Sequence, residues 1–322
     1  MRIVVTGGAG FIGSHFVRQV IGGAYPGLAG AEVTVLDKFT YAGLRANLAA
    51  VADSARLTVV AGDVCDPHLV RRVLTGADLV VHLAAESHVD RSIEGAAEFV
   101  RTNVLGTQTL LEAAARAEVA RFVQVSTDEV YGSIEQGSWD EAQPVRPSSP
   151  YSASKAAGDL LALAYHRTHG LPVCVTRCSN NYGPNQYPEK LIPLFVGNLL
   201  EGRTVPLYGD GGQVRDWLHV ADHCRALALV AEQGRPGEVY NIGGGTELTN
   251  RQLAGRLLEL CGADESLIEP VADRKGHDRR YSVDSTKISE QLGYAPRVPF
   301  EQGLARTVRW YAEHRDWWTA QR

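Results

Sequence analysis

At 322 residues, 44% hydrophobic and 21% charged, the chain is long enough for one large α/β domain, or for a domain with a smaller lobe, around a substantial core. Its net charge of −5 and its scattered Arg and Lys residues argue against nucleic acid or an anionic membrane surface as partner, and no apolar run approaches the length of a membrane span. The cysteines at 65, 174, 178, 224 and 261 lack metal-like clustering, and their odd number suits reduced thiols in the cytoplasm. Cys174 and Cys178 have the spacing of a ligand pair, but they lie in or beside a strand pattern with no second pair, so buried thiols and no metal are expected. A strand pattern opens the chain, and no signal peptide is expected before it.

Arg2–Thr6 is a short β-branched run, as a fully buried strand requires. Gly7-Gly8-Ala9-Gly10-Phe11-Ile12-Gly13 follows, with a helix pattern starting near Phe11. Glycines at 7, 10 and 13 suit a tight turn with positive φ, a close backbone approach to a ligand and close packing of helix on strand. The free N–H groups at the start of that helix suit a pyrophosphate. Further strand patterns run over 32–36, Leu57–Ala61, 79–83, 121–126 and 172–178, with helix patterns between them, notably over 96–117 and 152–168. This alternation predicts βαβ units and a doubly wound parallel sheet, a Rossmann fold.

Asp37 ends the second strand, where a carboxylate accepts hydrogen bonds from both hydroxyls of an adenosine ribose and repels a phosphate on the same ribose. That favours NAD over NADP, although Lys38 follows. Asp63 and Val64, after the third strand, fall where the adenine ring is expected. Leu83, Ala84 and Ala85 leave room for a cofactor to cross the fourth strand, and the Ser87 hydroxyl can reach cofactor or substrate. The fifth strand ends in Ser126-Thr127-Asp128-Glu129, and Tyr151-Ser152-Ala153-Ser154-Lys155 comes about twenty residues later. Tyr151 and Lys155, four apart on a helix, share one face. A phenol with a pKa near ~10 is a poor base at neutral pH, and a neighbouring ammonium is expected to lower that value. After residue 180 the texture changes to turn-rich polar stretches between shorter elements. The expected organisation is a Rossmann domain over 1–179 and a smaller, substrate-binding lobe over 180–322 that is interleaved with the sheet.

With these motifs together, from Val4-Val5-Thr6-Gly7 to Arg279-Arg280-Tyr281, the chain resembles an extended short-chain dehydrogenase/reductase of the nucleotide-sugar branch, and within it the 4,6-dehydratases. Epimerases of the superfamily share the glycine loop and the Tyr-x-x-x-Lys but do not carry Asp128-Glu129. The resemblance implies an NAD-dependent hydro-lyase and homodimer. It would act on dTDP-glucose by C4 oxidation, loss of water across C5 and C6 and return of hydride to C6, in deoxysugar biosynthesis. It implies Thr127, Asp128, Glu129, Tyr151 and Lys155 as catalytic residues, with Glu129 as base and Asp128 as acid. It adds Phe11, Ile12, Lys38, Phe39, Thr40, Thr102, Tyr151, Lys155 and Asn181 to the cofactor site and Thr127 to the substrate site.

In Arg177-Cys178-Ser179-Asn180-Asn181-Tyr182-Gly183-Pro184, resembling the family's R-x-x-N-x-Y-G-P loop with an extra Asn, Asn180 would meet the substrate and Asn181 the nicotinamide end. Lys190 and Leu191 would lie against the nucleotide diphosphate. Pro206 and Tyr208 would flank the base. Arg215, Asn250, Arg274, His277 and Tyr281 would complete a polar cage in which planar guanidinium groups make paired bonds to phosphate oxygens. The family shows Arg-Pro-Gly-His where this chain has Arg274-Lys275-Gly276-His277, which frees the loop and adds a charge. Two other readings stay open. One is an epimerase or decarboxylase of the same fold acting on a UDP-sugar, opposed by Asp128-Glu129 and the segment 274–281. The other is a non-catalytic NAD-binding module, opposed by the intact Thr127, Tyr151 and Lys155.

Overall fold

The computed structural model describes residues 1–321. Its strands are β1 (Arg2–Thr6), β2 (Glu32–Asp37), β3 (Leu57–Ala61), β4 (Leu79–His82), β5 (Arg121–Thr127), β6 (Val173–Cys178), β7 (Asn180–Tyr182), β8 (Val205–Tyr208), β9 (Val214–His219), β10 (Val239–Ile242), β11 (Glu247–Thr249) and β12 (Ile268–Val271). Seven of them form a parallel sheet in the order β10-β6-β5-β4-β1-β2-β3. The direction of winding reverses between β1 and β4, and at such a switch point the carboxyl ends of the strands open a crevice for a ligand.

Side chains alternate across the sheet. On one face Ile3, Val5, Val35 and Val81 pack with Phe16 and Val20 of the helix Phe11–Ile21 and with Cys224 and Leu227 of the helix Val220–Gln233. On the other, Val4, Val80, Phe122 and Val175 meet Leu74, Leu110, Leu111 and Ala162 from helices Pro67–Leu74, Thr107–Arg116 and Pro150–His169. Burial on both faces explains why the strands read as continuous apolar runs rather than alternating ones. The second half returns to this sheet, since the helix Val220–Gln233 and β10 belong to it. A cut at 179/180 therefore does not separate two spatial units. The remaining elements form a smaller lobe with its own core, including Tyr182, Phe195, Leu253, Leu257, Leu304, Tyr311 and Trp318.

Two helices that matter for the site differ from simple expectation. The run expected over 96–117 contains a π-helical stretch, Val100–Gly106. Within it, the Asn103 carboxamide exchanges hydrogen bonds with the backbone of Glu86 (2.9 Å each way) and donates to Ser154 Oγ (2.8 Å), tying the loop after β4 to the helix that carries Tyr151. Such wide turns are frequent at functional sites. That helix spans Pro150–His169, longer than the 152–168 pattern. Ser149 and Ser152 form a capping box, Pro150 occupies its first turn, and Gly170 ends it in a left-handed conformation.

Candidate active site

The cleft opens at the carboxyl ends of β1 and β4, and the three glycines divide its construction. Gly7 has φ +67°, and a Cβ there would lie 2.6 Å from the Ala84 nitrogen. A Cβ at Gly13 would lie 2.2 Å from the Gly7 carbonyl oxygen, so glycine lets the helix lie on the strand end. At Gly10 a Cβ would meet the Gly7 oxygen at 3.3 Å and otherwise project into open space. Gly10 caps the helix without a side-chain acceptor, which leaves first-turn N–H groups for an anion. Phe11 and Ile12 line the cleft here. This cradle, which side chains would fill, fits a dinucleotide pyrophosphate.

Asp37 is buried and accepts hydrogen bonds from Ala9 N (2.9 Å) and Phe39 N (2.8 Å). Burial raises its pKa, and these two N–H groups oppose that rise. Each oxygen keeps a lone pair for a ribose hydroxyl. Lys38 is paired with Asp63 at 2.9 Å, so its charge is engaged along the cleft wall. Thr40, Asp63 and Val64 also line the cleft. The Phe39 side chain does not: it packs on the apolar core, with the Arg45 guanidinium 4.2 Å over its ring, and only its N–H turns to Asp37. Leu83, Ala84, Ala85, Ser87 and Thr102 form the wall toward the catalytic end. There the Ser87 carbonyl accepts a hydrogen bond from Lys190 Nζ at 2.5 Å.

Thr127, Asp128, Glu129, Tyr151 and Lys155 converge on the same cleft. Asp128 is 2% exposed, and its Oδ2 has no hydrogen-bond partner among the described residues. The Thr127 hydroxyl donates to Asp128 Oδ1 at 3.2 Å, accepts from Glu129 N at 3.3 Å and lies within reach of the Tyr151 phenol. Burial, reinforced by Glu129 and Asp216, pushes the Asp128 pKa well above the usual carboxylate range. Glu129 is also raised by burial, but Arg274, Arg215 and Lys190 pull it back. Both carboxyls are thus raised by burial, but Asp128 is pushed further by negative neighbours while cations restrain Glu129, a difference that can separate an acid from a base.

One expectation is corrected. Tyr151 is raised well above its ordinary value by burial and by the charges of Glu129 and Asp128, while Lys155 donates to the Val125 carbonyl at 2.7 Å. Burial is the largest cause, because it disfavours the charged phenolate, and the negative charge of Glu129 adds to it.

Asn180 and Asn181 line the cleft. Asn181 has its polar atoms largely committed to the protein: Oδ1 pairs with His223 Nδ1 (2.9 Å), and Nδ2 donates to the Ser179 carbonyl (3.0 Å) and Cys178 Sγ (3.5 Å). Lys190 and Leu191 line the substrate side.

Pro206, Tyr208, Arg215, Asn250, Arg274, His277 and Tyr281 do not line this cleft, although Arg215 and Arg274 act electrostatically on Glu129 within it. Arg215, in β9, lies 4.2 Å over the Tyr281 ring and donates to the carbonyls of Val214 and Asp278. The Tyr281 hydroxyl donates to Asp278 Oδ2. Arg274 pairs with Asp90 at 3.5 Å, and Tyr208 donates to the same carboxylate. His277 pairs with Asp273, which also accepts from Gln213. The Asn250 N–H donates to the Gln213 carbonyl, and its buried Oδ1 lacks a partner among the described residues. Pro206 lies in β8, beside β12. Lys275 is exposed, and its neighbour Gly276, at φ +63°, packs where a Cβ would come 3.0 Å from the Ser148 carbonyl.

Sequence reasoning missed Gln186, Tyr187, Glu189 and Trp217 on the cleft wall. Glu189 pairs with Arg91 at 3.1 Å, and the Trp217 indole N–H is buried without a partner among the described residues. Adjacency to Lys190 was the available signal for Glu189. Trp217 reads as a core aromatic, which it also is.

A doubly wound parallel sheet, a glycine-loop cradle with an acidic residue at the end of β2, and a buried Tyr-x-x-x-Lys beside a Thr define a Rossmann-fold enzyme of the short-chain dehydrogenase/reductase class. The family model described as GDP-mannose 4,6 dehydratase matches residues 4–307, and the chain belongs to that family. It is 62% identical over 318 residues to a dTDP-glucose 4,6-dehydratase of Streptomyces niveus, covering 99% of this chain and 95% of the relative. Among solved structures, a dTDP-glucose 4,6-dehydratase from Streptomyces venezuelae with NAD bound is 64% identical, with a TM-score of 0.99 over 100% of both chains. A dTDP-glucose 4,6-dehydratase from Bacillus anthracis in complex with NAD is 46% identical, with a TM-score of 0.93 over 100% of both chains.

Proposed function

We propose that the protein is an NAD-dependent hydro-lyase that converts dTDP-glucose to its 4-keto-6-deoxy form. The observation that carries this reading is the Asp128-Glu129 pair beside Tyr151: burial raises both, negative neighbours push Asp128 further toward the protonated form, and three cations restrain the rise of Glu129. An epimerase needs one proton acceptor for oxidation and no acid–base pair for elimination. Bound NAD supplies a temporary hydride store that takes the C4 hydrogen and returns it to C6, so the reaction is redox-neutral overall.

The chain's residues supply the proton transfers. Tyr151 accepts the C4 hydroxyl proton as the phenolate, a form that burial disfavours in the free site and that the Lys155 ammonium, one helical turn away, supports during the reaction; Thr127 orients it. Glu129 removes the C5 proton, made acidic by the C4 ketone, and Asp128 protonates the departing C6 hydroxyl, which leaves as water. Glu129 resets by giving its proton back to C5, and the proton taken by Tyr151 passes through the Thr127 hydroxyl to Asp128, which resets both. Arg215, Arg274 and Lys190 hold the diphosphate, with Asn250 and His277 beside it. Pro206 and Tyr208 flank the base. Incubation with a panel of nucleotide hexoses, read by mass spectrometry, tests the reading: loss of water from dTDP-glucose is expected, and an unchanged mass with every hexose would overturn it.

Asp37→Ala is expected to weaken NAD binding at least about tenfold, since hydrogen bonds to a charged group are lost and the Ala9 and Phe39 N–H groups lose their acceptor. Titration calorimetry with NAD and NADP should show discrimination between them relaxed. Equal affinity of the wild type for both cofactors would contradict the role given to Asp37.

Arg215→Ala and Arg274→Ala are each expected to raise KM about tenfold or more while lowering kcat less, because binding remote from the reacting carbons is largely uniform between ground and transition states. Both cations also favour the ionised form of Glu129. The remaining kcat loss should therefore appear as an alkaline shift of the acid limb of the pH profile. A large fall in kcat at unchanged KM would place these residues elsewhere.

A homodimer fits the exposed apolar side chains Val100, Leu105 and Leu160 on the two long helical runs. A groove between those runs is lined by Val100, Val104, Leu105 and Leu161. The five free cysteines suit a cytoplasmic enzyme, and no helix among the described residues is long and apolar enough to cross a membrane.

A further inference from the structure

Beneath the catalytic helix lies an ion pair that the reaction does not touch. Arg177 Nε and Asp159 Oδ2 are 2.9 Å apart, and the two side chains are 4% and 0% exposed. Arg177 also lies 4.6 Å from the Tyr131 ring centroid, and the Tyr131 hydroxyl donates to Asn241 Oδ1 at 2.8 Å, so the cation is enclosed on its far side. Asp159 Oδ1 and the Oγ of Ser126, at the end of β5, are buried without a hydrogen-bond partner among the described residues. Desolvating two charges commonly costs more than their attraction returns, and an apolar pair of the same volume would serve packing equally well.

Its position gives the pair another use. Tyr151, Lys155 and Asp159 follow at intervals of four and share one helix face. We infer that Asp159, held in place by Arg177, is a positioning residue: its carboxylate is the counter-charge that keeps Lys155 an ammonium inside a dry site and so available to the Tyr151 phenol. This rests on the reading of Tyr151 and Lys155 as catalytic.

The other groups facing Lys155 do not replace it. Cys178, on β6, has its thiol pushed up to about 12 by burial and stays neutral. His82, on β4, is held by burial at about 3 and is also neutral. Tyr151, on the same helix, keeps its proton. The Val125 carbonyl on β5 contributes a dipole. Asp159 thus brings the full negative charge. Burial lowers the Lys155 pKa and Asp159 opposes that fall, while Arg177, Ser126 and Lys155 in turn oppose the upward push of burial on Asp159.

The chain has five lysines, at 38, 155, 190, 275 and 287, so each side chain can be followed in a 13C-lysine NMR titration. Asp159→Asn should lower the Lys155 midpoint by about one pH unit or more. In rapid mixing with dTDP-glucose, the alkaline limb of C4 oxidation should move down with it. Asp159→Asn combined with Arg177→Gln leaves no orphaned guanidinium at the former ion pair. It should lower the midpoint by less, and it carries the test if the single variant does not fold. Asp159→Glu should restore most of the shift. A Lys155 midpoint unmoved in both the single and the double variant, with or without a slower reaction, would overturn the inference. If the wild type oxidised no nucleotide sugar, the catalytic reading would fail instead, and the NMR result would still decide whether Asp159 sets the charge of Lys155.

Discussion

Tyr151→Phe should abolish the transient absorbance of reduced nicotinamide when dTDP-glucose is mixed with the NAD-loaded protein, a loss on the order of 10³-fold or more in the rate of C4 oxidation. The substitution removes one oxygen from a side chain that is 8% exposed, so packing against Phe99 is retained while the proton acceptor is lost. Thr127 cannot substitute, because its hydroxyl already donates to Asp128 and accepts from Glu129 N. NAD binding by the variant should stay within a few-fold of wild type, since the cradle at Gly7, Gly10 and Asp37 is distant in sequence and built from other elements. Stopped-flow absorbance combined with a bound-cofactor assay distinguishes the outcomes. A normal transient would assign the base to another residue. Loss of both the transient and the cofactor would make Tyr151 a binding residue.

The cofactor half of the cleft was legible because its chemistry is local. The glycines at 7, 10 and 13 and the acid at 37 are fixed by backbone geometry within one βαβ unit, and the small residues at 84 and 85 follow β4, the neighbour of β1 in the sheet. The Tyr-x-x-x-Lys was legible because a helix repeats every 3.6 residues. The electrostatic state of the site was not. That burial, and after it Glu129, disfavour the Tyr151 phenolate depends on how the elements pack, which no local motif records. The second half was the least legible. Asp90 and Arg274 are 184 positions apart and meet only because the smaller lobe folds over the helix Val89–Glu94. The return of β10 to the main sheet leaves no mark on its four-residue apolar run that separates it from a strand of the smaller lobe. Phe39 was misplaced for a related reason: its main chain serves Asp37 while its ring turns into the core, and sequence does not distinguish the two.

Glu129→Gln and Asp128→Asn should separate the two halves of the elimination. Glu129→Gln preserves size and removes the base, so C4 oxidation continues while exchange of the C5 hydrogen with solvent deuterium falls on the order of 10² to 10⁴-fold. It also removes the negative charge that, after burial, most strongly disfavours the Tyr151 phenolate. The acid limb of the oxidation step should therefore move to lower pH in this variant, a shift that mere loss of a side chain would not cause. Asp128→Asn removes the proton donor but keeps the base. Its C5 exchange should persist while release of water slows by a comparable factor. The sign follows from the site: the Asp128 pKa is raised well above the ordinary carboxylate range, which favours the protonated form that can give its proton to the C6 hydroxyl. Elimination should fail as pH rises through that raised value. It should also fail as pH falls through the value for Glu129, which burial raises and Arg274, Arg215 and Lys190 hold down. Turnover of C4-deuterated dTDP-glucose in ordinary water completes the test, because the hydride leaving C4 has no carrier but the cofactor and should reappear at C6 of the same sugar. Deuterium returned to C4 with inverted configuration, and no water lost, would make the enzyme an epimerase and leave the protonated Asp128 without a role.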